Sequence, residues 1–214
     1  MPEAPGILAR GPWSPDAVRA RWREDVYMAE PHHDAAADDA IARLSERGSP
    51  SHDGLAARMS GFTAGDGLEL ELQPMRWGLR LNEGDALDSI SVQCVVRDGD
   101  GRWLAGRRAA WVATWAGRWA LGAGGAVEVG EDPVLTLTRE LHEEWGLEPE
   151  RTQVEALVRL PNSLIMLIGS VWVASGVDVV RDHEHDDHAW WPPDPADWPD
   201  VADPALRRMA SLLA

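Results

Sequence analysis

The stretch GGAVEVGEDPVLTLTRELHEEWGL, Gly124 to Leu147, decides how the rest of the chain is read. Asp132 can cap a helix, Pro133 fits the first helical position, and Gly146 suits the left-handed residue that ends one. Val134, Leu137, Leu141 and Trp145 follow one another at helical spacing and form the stripe that packs inward. On a neighbouring face Glu140, Glu143 and Glu144 fall within an arc of about 100°, since each residue turns the helix by about 100°. Like charges at these spacings each cost a few tenths of a kcal/mol, and acids near a helix C-terminus also meet the negative end of the dipole. A purely structural helix gains nothing from this arrangement. A helix that holds a hard divalent cation requires it, because Mg²⁺ takes carboxylate oxygens and shares its remaining positions with water and substrate phosphates.

Outward from this helix, the chain of 214 residues, 44% of them apolar, has length for one ordinary domain or one domain with an extension. Asn82 to Asp85 is a polar turn cluster, which predicts an N-terminal extension over 1–87 and a second unit over 88–214. Helices are expected at Ser14 to Glu30, from the Ser14-Pro15-Asp16 start signal and the spacing of Val18, Trp22 and Val26, and at Asp34 to Arg47. Leu68, Leu70 and Leu72 alternate with Glu69 and Glu71, the period of a half-buried strand, and Leu55 to Met59 is a second strand in that region. Further strands are expected at Ser89–Arg97, Trp103–Ala109, Ala126–Val129, Val154–Leu160 and Leu164–Ala174. A closing helix starts at Asp203 and Pro204, with Leu206, Met209 and Leu213 on its apolar side.

The net charge of −16 repels polyphosphate chains and argues against a nucleic-acid binder. A small anionic substrate then needs a local cation, and every positive residue of the chain is an arginine, the side chain suited to bidentate phosphate contacts. The single cysteine, Cys94, forms no internal disulfide, and no apolar run approaches the ~20 residues of a membrane span. Met1 to Pro5 lacks the basic start of a secretory signal, so the expected location is the cytoplasm.

The same stretch resembles the Nudix box, G-x5-E-x7-R-E-U-x-E-E-x-G-U with U aliphatic. Gly125, Glu131, Arg139, Glu140, Leu141, Glu143, Glu144, Gly146 and Leu147 fill every specified position. The resemblance extends more loosely from about Ser89 to Pro193. It implies an α/β fold, an α/β/α sandwich with a mixed sheet, here preceded by an α+β extension. It also implies a Mg²⁺- or Mn²⁺-dependent hydrolase in which Glu140, Glu143 and Glu144 hold metal or activate water, joined by the Gly124 carbonyl. Glu140 is the expected base. Arg139 and Glu131 would form an ion pair that orients the loop on the helix, and the later loop RDHEHDDHAWW is expected to add a ligand from Glu184, Asp186 or Asp187, with Glu184 the first choice. The histidines of that loop, His183, His185 and His188, have a spacing that also admits zinc, but no cysteine or second cluster completes such a site.

For the substrate, Arg107, Arg108, Trp111, Trp115 and Arg118 precede the box, where guanidinium groups suit phosphate and indoles suit a base. The order of Trp22, PSHDGLAARMSGF and LELELQPMRW is similar to the N-terminal part of UDP-glucose pyrophosphatases in the same superfamily. A nucleoside diphosphate linked to another moiety is therefore the expected substrate, with a nucleotide sugar favoured over ADP-ribose or an oxidised nucleotide. Two rivals share the fold: a non-catalytic ligand sensor, and an isopentenyl diphosphate isomerase, which would need a cysteine in a context that Cys94 lacks. A homodimer is left open, because the segment before Ser89 would either cover the pocket or form a dimer contact.

Overall fold

The computed structural model describes residues 5–49, 53–112 and 114–213. Its strands are β1 (Gly6–Trp13), β2 (Val18–Trp22), β3 (Leu55–Ala64), β4 (Leu68–Arg76), β5 (Ile90–Asp98), β6 (Trp103–Arg108), β7 (Trp119–Leu121), β8 (Arg151–Arg159), β9 (Ile165–Val173) and β10 (His185–Trp191). Its helices are α1 (Pro31–Glu46), α2 (Pro133–Trp145) and α3 (Pro204–Leu213), and a 3₁₀ helix spans Trp77–Leu81.

A seven-stranded mixed sheet runs β1-β8-β9-β5-β6-β10, with β7 paired to β6. Within it β5 and β9 are parallel and the other ladders antiparallel. Side chains of β5 divide between its faces. Val92, Cys94 and Val96 join Leu137, Leu141 and Trp145 of α2 in one core, while Val95 joins Leu206 and Ala210 of α3 in another. The sheet is thus covered by one helix on each side, an α/β/α sandwich.

The box helix forms as its residues dictate. Asp132 accepts a hydrogen bond from the Val134 N–H, and Gly146 ends the helix at φ 63°. In β4, Leu68, Leu70 and Leu72 are buried while Glu69 and Glu71 face outward. This strand is the centre of a three-stranded sheet, β2-β4-β3.

Three expectations are corrected and one unassigned segment gains a structure. The helix expected over Ser14–Glu30 is a single 3₁₀ turn, Pro15–Ala17, followed by β2 and extended chain. Val18, Ala20 and Trp22 fit a period of two as well as helical spacing, and pairing with Leu68–Leu72 selects the strand. Ala126–Val129 is not a strand but makes isolated bridges, Ser91 to Ala126 and Ala56 to Glu128, that tie the two sheets together. The loop RDHEHDDHAWW is half strand, because β10 begins at His185 and pairs with β6. Finally, Gly6–Trp13, unassigned in the sequence, is an edge strand on β8.

The segment PSHDGLAARMSGF lies partly outside the described residues, at 50–52; its part from Leu55 to Phe62 lies in β3. Among the described residues no helix is long and apolar enough to cross a membrane.

Candidate active site

A cavity of about 790 Å³ opens between the two sheets. One wall is the box: Gly124, Gly125, Arg139, Glu140 and Glu143, with Glu184 beside them. The facing wall comes from the N-terminal part of the chain and includes Arg43, Arg47, Leu55, Trp77 and Arg80. The segment before Ser89 therefore covers the pocket.

Glu140 and Glu144 are buried, and neither environment suits a free carboxylate anion. Burial pushes the Glu140 carboxyl up to about 7 against the pull of the Arg139 guanidinium, and the charges of Glu143 and Glu184 add to the rise. Burial and the neighbouring Glu140 charge push Glu144 well above the carboxylate range, opposed by the Gly124 N–H and by Arg108. Glu144 Oε1 accepts from the Gly124 N–H at 3.1 Å. Its Oε2 is buried with no hydrogen-bond partner. His185, packed against the Trp145 ring with centroids 4.3 Å apart, places Nε2 3.7 Å from that oxygen.

Arg139 is the hub of this wall. Its Nε and Nη2 donate to the two Glu131 oxygens at 2.8 and 3.1 Å, and Nη2 also reaches the Ala126 carbonyl. Burial alone would raise the Glu131 pKa, but hydrogen bonds from Arg139, Thr136 and the Glu128 N–H outweigh it and hold this carboxylate low. Arg139 Nη1 lies 2.8 Å from Glu140 and 2.9 Å from Glu143. Glu143 thus turns onto the arginine, and among the described residues no three histidine, cysteine or acidic side chains converge in a metal-holding arrangement. The donor set nevertheless fits a hard cation. Its members are carboxylate oxygens, two of the carboxylates are disfavoured as free anions, and one buried oxygen lacks a partner.

The glycine at 125 is required by the site rather than by the backbone. A Cβ there would lie 2.1–2.6 Å from the Glu140 carboxyl atoms, the free end of a flexible side chain. Gly125→Ala is therefore expected to displace the carboxylate and leave the fold standing. We expect hydrolysis to fall on the order of 100-fold with Tm within a few degrees of wild type. Steady-state rates beside a thermal melt check this, and unchanged rates would contradict it.

The residues expected to bind substrate separate in space. Arg108 and Trp111 line the cavity; Arg108 pairs with Glu184 at 3.2 Å and Trp111 stacks on His183. Arg107, Trp115 and Arg118 do not line it. Arg107 is exposed, while Arg118 pairs with Asp203 and sits over the Trp115 ring. Arg107 alternates along β6 with the lining residue Arg108, and the turn after β6 carries Trp115 and Arg118 away. Arg80, Trp77 and Arg43 were not singled out in the sequence, and no local pattern marks them, because α1 and the 3₁₀ helix reach the site only through tertiary packing. Cys94 is fully buried and lines no part of the cavity.

A model of the NUDIX domain matches residues 88–213. The chain belongs to the Nudix family, and it is a Nudix hydrolase, a member of a metal-dependent class of enzymes. Among curated proteins none matches it. Solved structures that it resembles include a MutT protein from Methanosarcina mazei Go1, at 26% identity over 58% of this chain and 91% of that one, with a TM-score of 0.46. Another is the NUDIX domain of Shewanella oneidensis NrtR in complex with ADP ribose, at 16% identity over 58% and 85%, TM-score 0.47. A third is a bifunctional NMN adenylyltransferase/ADP ribose pyrophosphatase from Francisella tularensis, complexed with AMP and a Mn ion, at 18% identity over 58% and 41%, TM-score 0.46.

Proposed function

We propose that this enzyme cleaves the diphosphate bond of a nucleoside diphosphate linked to a second moiety, a nucleotide sugar of the UDP-glucose type, with Mg²⁺ or Mn²⁺ as cofactor. The observation that carries the reading is the pair of buried carboxylates, Glu140 at the wall of a cavity of about 790 Å³ and Glu144 behind it, bonded to the lining residue Gly124. That volume lies within the usual range for small-molecule sites and has room for more than a lone diphosphate. We also propose the division of the chain at residue 88, with residues 1–87 as an extension whose first strand, β1, joins the sheet of the hydrolase unit, 88–214.

In this reading Glu140, Glu143, Glu144 and Glu184, with the Gly124 carbonyl, are the groups that would hold the cation. The bound ion would offset negative charge on the phosphoryl oxygens. Glu140 takes the proton of the attacking water as the new phosphorus–oxygen bond forms and the bridging oxygen leaves with one phosphate. Arg139 and Glu131 act at one remove, holding the 124–131 loop against α2 so that Glu140 and Glu144 keep their places. Arg108 tempers the negative charge at Glu184, and the Trp111 indole offers a face to the base.

The test is a panel of UDP-glucose, ADP-ribose, diadenosine polyphosphates, oxidised dNTPs and isopentenyl diphosphate, run with Mg²⁺ in ¹⁸O-labelled water. We expect UMP and glucose phosphate from UDP-glucose, one of them carrying the label. Faster release of AMP from ADP-ribose would move the substrate assignment, and no product from any diphosphate would refute hydrolysis.

The carboxylates also set a pH dependence. The unfolded Glu140 carboxyl releases its proton near 4.5 and the folded one near 7. Between these values the folded state binds more protons, so the metal-free stability falls as pH rises. The loss from this group is on the order of 1–3 kcal/mol, at 1.36 kcal/mol per pKa unit. Glu131 acts oppositely and below this window, its stabilisation being lost as pH falls under about 4.5. Thermal melts in EDTA from pH 5 to 8 should show a decline that Glu140→Gln flattens, and an equal slope in the two proteins would contradict the assignment.

A further inference from the structure

The two walls of the cavity carry opposite charge. On the box side each lining arginine is already matched by an acid: Arg139 by Glu131, Glu140 and Glu143, and Arg108 by Glu184. On the N-terminal side the arginines are unmatched. Among the described residues Arg43, Arg47 and Arg80 take part in no ion pair, and Arg43 and Arg47 are exposed at the rim. Arg80 differs from both. It is largely enclosed, and its Nη2 donates to the Ser91 hydroxyl on β5 at 2.7 Å. The Trp77 ring, one turn earlier on the same 3₁₀ helix, lies 5.6 Å from its guanidinium carbon. Ser91 is itself buried, so the guanidinium is held in one place and its remaining N–H groups are free to meet a ligand.

Enclosing a cation without a carboxylate partner costs free energy that folding alone does not recover. Glu140 and Glu184 attract Arg80 from across the cavity and Arg108 repels it, so its charge belongs to the same electrostatic system as the box. In a protein of net charge −16 such a cation is also a local exception that draws an anion into an otherwise repelling field.

We propose that Arg80 is a substrate-binding residue that donates to a phosphoryl oxygen of the diphosphate, so that the N-terminal segment completes the active site. This rests on the hydrolase reading above. The planar guanidinium offers paired donors matched to two oxygens of one phosphoryl group. Held by Ser91, it fixes the end of the diphosphate that faces away from α2, and the box residues act on the other. Trp77 and Leu55 continue the same wall, where the second moiety of the substrate would lie.

The test measures binding of the α,β-methylene analogues of ADP and UDP, which cannot be hydrolysed, by calorimetry with Mg²⁺ present. Wild type, Arg80→Gln, Arg80→Lys and the control Arg208→Gln on the exposed side of α3 are compared, each with its Tm. We expect Arg80→Gln to weaken binding ten- to hundredfold, the range of a charge-assisted hydrogen bond. Arg80→Lys should recover part of the loss, and Arg208→Gln should bind as wild type. On the substrate turned over fastest, Arg80→Gln should raise KM by a similar factor. Because no acid pairs with the guanidinium, its removal should leave the metal-free Tm unchanged or higher. Wild-type-like affinity in Arg80→Gln overturns the proposal, as does a loss of binding in Arg80→Gln that comes with a Tm lower by many degrees and shows no recovery in Arg80→Lys. If wild type neither hydrolyses a diphosphate nor binds either analogue, the hydrolase reading falls with it.

Discussion

Glu144→Gln is expected to lower kcat by a factor on the order of 10²–10⁴ while leaving the protein as stable as wild type, or more so. The two halves of this result have one cause. Glu144 is nine-tenths enclosed or more, one of its oxygens has no partner, and burial together with the Glu140 charge disfavours its anion. An amide keeps the shape and can still accept from the Gly124 N–H through its oxygen, but it cannot bring negative charge to the site. Removing an uncompensated charge from the interior costs the fold nothing, whereas a centre that depends on that charge loses its function. Initial rates at saturating Mg²⁺ beside thermal melts test both halves. A rate within tenfold of wild type, or a Tm fall of many degrees, would make Glu144 an ordinary structural residue.

The largest effect on the fold is expected at Trp145. Its ring is fully buried between α2 and the sheet, its Nε1 donates to the Gly122 carbonyl at 3.0 Å, and His185 packs on its face. Trp145→Ala leaves a cavity and an orphaned carbonyl, a loss of about 3–5 kcal/mol. At this chain length that corresponds to a Tm lower by roughly 10 °C. The site should suffer as well, because Trp145 supports His185, whose Nε2 faces Glu144. Denaturant unfolding followed by fluorescence gives the free energy directly. A loss under about 1 kcal/mol would mean that the region behind the box repacks.

The box helix was legible because its signals are local: a capping Asp132, Pro133 in the first turn, a left-handed Gly146 and an apolar stripe all agree. The alternation of Leu68, Glu69, Leu70, Glu71 and Leu72 was equally plain, and it became β4 with its leucines inside. Where a segment fits two periods, sequence could not choose. Val18 and Trp22 are four apart, as on a helix face, yet with Ala20 they also alternate, and a partner strand fifty residues later settles the matter. β1, with Gly6, Gly11 and Pro12 among its residues, has no strand signature of its own and exists because β8 offers an edge. The acidic half of the cavity was visible for the same local reasons as the helix. Its basic half was not, since Arg43 and Arg80 are separated from the box by long stretches of chain and meet it only once α1 and the 3₁₀ helix have packed. Choosing arginines by nearness in sequence led to Arg107, which alternates with the lining Arg108 along β6, and to Arg118, which the turn after β6 carries away from the cavity.

The central claim is that acids of α2 gather a divalent cation at the cavity wall. Mn²⁺ titration followed by electron paramagnetic resonance, on wild type, Glu140→Gln and Glu144→Gln, tests this most directly. Tight binding in wild type, weakened tenfold or more by either substitution and reversed by excess Mg²⁺, is the expected result. Mn²⁺ affinity that is the same in all three proteins, or absent from wild type, would contradict it.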